Sequence, residues 1–154
     1  MKISRKLAPL AALALAATGL TGCTATVTLE PAEFANDPAC AEIIVRLPDT
    51  LANLEKRSTN AQATGAWGNP TSVILRCGLE PVAVSSLTCV TASDVDWLVD
   101  DSKAPSYRFI SYGRSPATEV IVDSTAVAGV TALDELSGAM QSIEATKRCS
   151  SVAN

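Results

Sequence analysis

The sequence contains no histidine. That absence removes Ser-His-Asp and Cys-His catalysis and every histidine-ligated metal centre. It has no Cys-x-x-Cys pair, no phosphate-cradling glycine loop, no Gly-x-Ser-x-Gly elbow and no nucleotide fingerprint. There is no apolar run of the roughly 20 residues that a membrane-spanning helix needs. The longest, Leu7 to Leu20, is broken by Pro9, Thr18 and Gly19.

What stands at the start of the chain is a basic opening (Lys2, Arg5, Lys6), the short apolar run and then small residues. This is the tripartite form of a signal peptide. Leu20-Thr21-Gly22-Cys23 resembles the lipobox of bacterial lipoproteins, in which small residues admit the chain to a peptidase and the cysteine thiol takes a lipid. The expectation is a leader over 1–22, lipidation at Cys23 and a tether over 23–36 that lifts a single domain, 37–150, off the membrane. Ordinary secretion with Cys23 as a chance cysteine is the rival. Of the 154 residues, 132 follow the leader, enough for one domain and too few for two. The leader holds three of the twelve basic residues and none of the sixteen acidic ones, so nine face sixteen afterwards, a net of −7. Such acidity argues against nucleic acid as a partner and against electrostatic binding to an anionic membrane face. The expected link to the membrane is the lipid on Cys23.

With Cys23 set aside, Cys40, Cys77, Cys89 and Cys149 make an even set for two disulfides. Three pairings exist. Cys40 with Cys149 and Cys77 with Cys89 are preferred, because Gly78-Leu79-Glu80-Pro81 offers a turn between the second pair and the first would tie the domain's ends together. Neither a metal nor a cofactor is expected.

Asp37 followed by Pro38 is a helix start, and Cys40, Ile43, Ile44 and Leu47 fall on one helical face up to Pro48. Asp49 is expected to cap another short turn with Leu51 and Leu54 inward. The period then changes, with Val73, Leu75 and Cys77 alternating with Ile74 and Arg76. Further strands are expected at Leu87 to Thr91, Val95 to Leu98, Tyr107 to Tyr112 and Ala117 to Asp123, the last two joined through Gly113-Arg114-Ser115-Pro116. Leu133, Leu136, Met140 and Ile143 restore a helical period, with Thr131 and Asp134 in capping-box spacing and Lys147 and Arg148 in the last turn. The reading is an α+β domain, a mainly antiparallel sheet of four to five strands flanked by N-terminal and C-terminal helices.

Three groups could carry chemistry. Asp94, Asp96, Asp100 and Asp101 could bind calcium or supply the acid pair of a glycoside hydrolase, against a bland reading as solvated loop acids. Trp67 and Trp97 could line a sugar-binding groove or simply fill the core. Arg76 and Arg114 could clamp a carboxylate, or each could serve a structural ion pair.

Ala66-Trp67-Gly68-Asn69-Pro70, Leu75-Arg76-Cys77-Gly78, Val95-Asp96-Trp97 and Tyr112-Gly113-Arg114-Ser115-Pro116, in that order, resemble the family called domain of unknown function 3515. The resemblance spans about Cys40 to Cys149. It implies an actinobacterial envelope lipoprotein without an established activity, and it supplies no catalytic residue. The expected function is therefore a lipid-anchored, non-enzymatic binding or accessory module for an envelope protein or cell-wall component. The alternatives are a carboxylate-based hydrolase acting on wall glycan and a purely structural spacer.

Overall fold

The computed structural model describes residues 25–150. The expected leader and Cys23 lie outside the described residues. Helix α1 (Pro38–Ile44) begins as its sequence dictates, with the Asp37 carboxylate accepting from the Ala39 N–H at 2.8 Å and Pro38 in the first turn. Eight strands follow: β1 (Thr50–Leu51), β2 (Leu54–Arg57), β3 (Thr64–Trp67), β4 (Val73–Leu79), β5 (Thr88–Ala92), β6 (Val95–Asp100), β7 (Ser106–Ser111) and β8 (Ala117–Asp123). Helix α2 (Gly129–Met140) comes last. All eight strands join one antiparallel sheet in the order β1-β2-β3-β4-β8-β7-β6-β5.

The α+β class and all five expected strands are present, but the sheet has eight strands and not four to five. The extra three lie within residues 50–67, a region that begins where a short turn capped by Asp49 was expected. There β1 and β2 form a hairpin whose turn, Ala52-Asn53, has positive φ at both residues (48° and 63°), the geometry of a tight hairpin turn. A second hairpin of the same kind joins β5 to β6 through Ser93 (43°) and Asp94 (65°). Helix α2 also differs from expectation. Its N-cap is Ala128, Asp134 accepts from the Ser93 hydroxyl instead of closing a capping box with Thr131, and the helix stops before Lys147 and Arg148. Gly129 at its first residue packs closely against the Phe109 ring, where an added Cβ would come within 2.7 Å of Cζ.

Alternation gives the sheet two unlike faces. One is covered by both helices and holds the main core, including Trp67, Leu75, Trp97, Val120, Leu133, Leu136 and Met140. Cys40 on the inward side of α1 meets Cys77 on this face of β4 and forms a disulfide with it. Cys89 packs with Leu98, Ile110 and Ala117 in a small cluster on the other face, and its partner is Cys149. The preferred pairing of Cys40 with Cys149 and Cys77 with Cys89 is thus corrected. Cys77 and Cys89 point to opposite sides of the sheet, so no turn between them could bring their sulfurs together.

The stretch expected as a tether is docked against the domain. Val27 bridges to Thr59, the Leu29 N–H donates to Asn60 Oδ1 at 2.7 Å, and the Phe34 N–H donates to the Gly78 carbonyl at 2.8 Å. Gly78 has φ +106° at a bulge in β4, and a Cβ there would fall 2.5 Å from the backbone of Phe34 and Ala35. Only glycine allows that approach.

Candidate functional site

The face of the sheet away from the helices is polar at its centre. Glu119 on β8 lies between β4 and β7, directly opposite Arg76 on one side and beside Arg108 on the other. Its carboxylate is almost fully buried, with 2% of the side chain exposed, and is clamped from both flanks. Arg76 Nε donates to Oε1 at 2.7 Å and its Nη2 also ion-pairs there, while Arg108 Nε donates to Oε2. The two arginine side chains retain about a third of their surface. Three adjacent strands therefore hold an Arg-Glu-Arg triad by register alone, and a buried carboxylate needs such partners.

Around this triad lies a cavity of about 300 Å³ lined by Arg76, Arg108, Glu119, Asp100, Lys103 and Ser106, with Ser102 and Ile121. Asp100 Oδ1 accepts from the Ser102 N–H at 3.0 Å. The Asp100 carboxyl is held below its ordinary range chiefly by the Ser102 hydroxyl, then by that N–H, with Arg108 and Lys103 adding smaller attractions. Three cationic and two anionic side chains line the cavity, a local +1 on a chain whose formal charge is −4.

The residues singled out from sequence are not brought into one site. Trp67 and Trp97 are fully buried in the helix-side core, so neither offers a face to a sugar. Trp67 Nε1 donates to the Pro48 carbonyl at 3.0 Å. Arg114 is 4% exposed, and its Nη1 donates to the Ile143 carbonyl, which ties the segment after α2 to the β7–β8 turn. Burial, then repulsion from Arg148, lowers the Arg114 pKa, with Asp96 opposing the change. Of the four candidates only Arg76 borders the open-face cavity, through its pair with Glu119.

The acidic group is dispersed as well. Asp94 forms part of the exposed β5–β6 turn. Asp96 is buried and engaged, accepting from the Thr91 hydroxyl at 2.6 Å and the Cys149 N–H at 2.8 Å. Asp100 follows four residues along β6, roughly 13 Å away at strand rise. Among the described residues Asp100 is the one member of this acidic group that lines the open-face cavity, where the other carboxylate is Glu119. Among the described residues no three His, Cys, Asp or Glu side chains gather as for a metal ion.

Glu119, Arg108, Lys103 and Ser106 escaped the sequence reading. The available signal was a charged residue at an interior position of each of the strands at 107–112 and 117–123, matching Arg76 in its own strand.

Residues 7–148 match the family described as "Protein of unknown function (DUF3515)". The chain belongs to that family. No curated protein and no solved structure matches the chain. The motifs that carry the family likeness fall mainly on backbone and core features of this fold: Trp67 and Trp97 in the core, Gly78 at the bulge under the N-terminal arm, and Gly113-Arg114 at the turn that receives the C-terminal tail.

Proposed function

We propose that this DUF3515 protein is a lipid-anchored, extracytoplasmic envelope protein that acts as a non-enzymatic binding or accessory module. Cys23 carries the lipid in this reading, and the partner is an envelope protein or cell-wall component. The observation that supports it is the open sheet face: on an acidic chain, three cationic side chains line a solvent-reaching cavity in which Glu119 is engaged through both oxygens and Asp100 through one. That arrangement suits holding a ligand. The anchor reading is supported by the basic start, the short apolar run and Leu20-Thr21-Gly22-Cys23. No helix among the described residues is long and apolar enough to cross a membrane.

Two measurements test this reading. Crosslinking in intact envelopes followed by affinity recovery should yield a reproducible component with the wild-type protein and lose it with Arg108→Glu. Recovery no better than an anchor-only control would overturn the module. Cys23→Ala should release a folded, disulfide-bonded protein into the medium, and its retention in the membrane fraction would overturn the anchor.

A further inference from the structure

The hydrogen-bonding capacity left over in the open-face cavity is almost all of one kind. Both Glu119 oxygens are taken by Arg76 and Arg108, and Asp100 is engaged by Ser102. Arg108 spends only its Nε on Glu119. Among the described residues its two Nη groups, the Lys103 ammonium and the Ser106 hydroxyl have no hydrogen-bond partner. Apart from Asp100 Oδ2, the unused side-chain groups are donors, and the charges lining the cavity sum to +1. What complements them is a ligand rich in anionic acceptors.

From this geometry we infer that the cavity between β4, β8 and β7 binds a phosphate group, free or esterified. The inference rests on the binding-module reading and names its ligand class. A planar carboxylate presents two oxygens, which the Arg108 Nη pair alone can occupy side by side. Lys103 and Ser106 come from the β6–β7 connection and the start of β7, and serve a third oxygen that a tetrahedral phosphate has and a carboxylate lacks. Glu119 is the positioning residue: with its charge buried between two arginines, it fixes both guanidinium planes before any ligand arrives, so little side-chain entropy is lost on binding. Free phosphate, a phosphate ester and a lipid headgroup share this chemistry.

The test is calorimetric titration of the full chain in detergent at pH 7 with inorganic phosphate, glycerol phosphate and, as the carboxylate probe, succinate. Phosphate or its ester should bind with a Kd of about 1 mM or tighter, and succinate at least tenfold more weakly. A preference between inorganic phosphate and glycerol phosphate distinguishes a free from an esterified source. Arg108→Gln should weaken phosphate at least tenfold and Lys103→Gln about threefold, while Arg46→Gln, whose side chain pairs with Glu42 on exposed α1 surface, should leave it unchanged. Lys103 is exposed and in no ion pair among the described residues, so its variant separates binding from folding. No response to either phosphate probe, equal affinity for succinate, or indifference to Lys103→Gln and Arg108→Gln overturns the inference. If phosphate fails while the crosslinked envelope component is still recovered, the ligand class falls and the module stands. If both fail, both readings fall.

Discussion

The two faces of the sheet are built from the same strands, residue by residue in alternation, yet they are stabilised in different ways. On the helix side, α1 and α2 close over Trp67, Leu75, Trp97, Val120 and Leu136, and the Cys40–Cys77 disulfide has no exposed surface. On the other side a small apolar cluster around Leu98, Ile110 and Ala117 occupies one end, while the centre is given to Arg76, Glu119 and Arg108. Apolar burial is non-directional and sets the fold. The ionic triad is directional, and replacing such a group by aliphatic residues is often neutral or stabilising. Its presence on the uncovered face is therefore better explained by what the guanidinium groups do than by stability.

Substitutions can break or sharpen this contrast. Trp67→Ala removes a fully buried indole and orphans the Pro48 carbonyl, and should cost about 4 kcal/mol, read as a lowered urea midpoint. A loss under about 1 kcal/mol would mean the helix-side core does not dominate. Glu119→Gln leaves two arginines facing a neutral amide. It should cost about 2 kcal/mol, below the range for fully buried pairs because the arginines are partly solvated. If that variant were more stable than wild type in the same denaturation experiment, the triad would be a functional strain with no structural role. The disulfides should differ in rate: under limiting reductant, peptide mapping should show Cys89–Cys149, which is partly exposed, opening well before Cys40–Cys77. The reverse order would place the mobile part of the domain on the helix side.

The smallest effect concerns acid. Asp100 and Asp123 are held below their ordinary 3.8, each chiefly by a following hydroxyl, Ser102 and Thr125. A depressed carboxyl contributes stability that is fully present above the unfolded value and is lost as pH falls through the folded one. The share of stability these two carboxyls contribute should be level between about pH 5.5 and 7.5 and shrink only as pH falls below 3.8, read as the Tm difference between wild type and an Asp100→Asn, Asp123→Asn double variant. A difference that changed across the neutral range would mean that something other than these carboxyls sets it.

Much of the fold was legible because its signals are local. Asp37-Pro38 marks a helix start wherever it stands, and the alternation in 73–77 reports a strand with one face in the core. Residues 50–67 were not legible for an equally physical reason. All four residues of β3, Thr64-Gly65-Ala66-Trp67, are buried, so no alternation survives, and the Ala52-Asn53 turn lacks the glycine that flags a hairpin. The disulfide pairing depends on which face each cysteine occupies, and the triad depends on β4 and β7 both flanking β8. Strand order of that kind is a property of the assembled sheet, so Arg76 could be noticed while Glu119 and Arg108 could not.

If Cys23 carries the proposed lipid, the docked N-terminal arm limits how far the domain could stand from a membrane. The Ala25 carbonyl already accepts from Arg57 on β2, and Val27 bridges to Thr59. A lipid on Cys23 would leave a leash of two residues, which spans at most roughly 7 Å when fully extended. Held that short, the domain would not sweep the space above the bilayer as a flexibly tethered one does. Its β2–β3 corner would rest at the headgroup layer, and the arginine cavity would lie two to four strand spacings along the sheet, roughly 10–19 Å from that corner. Anything it holds would then have to be met within a thin, fixed shell at the membrane surface.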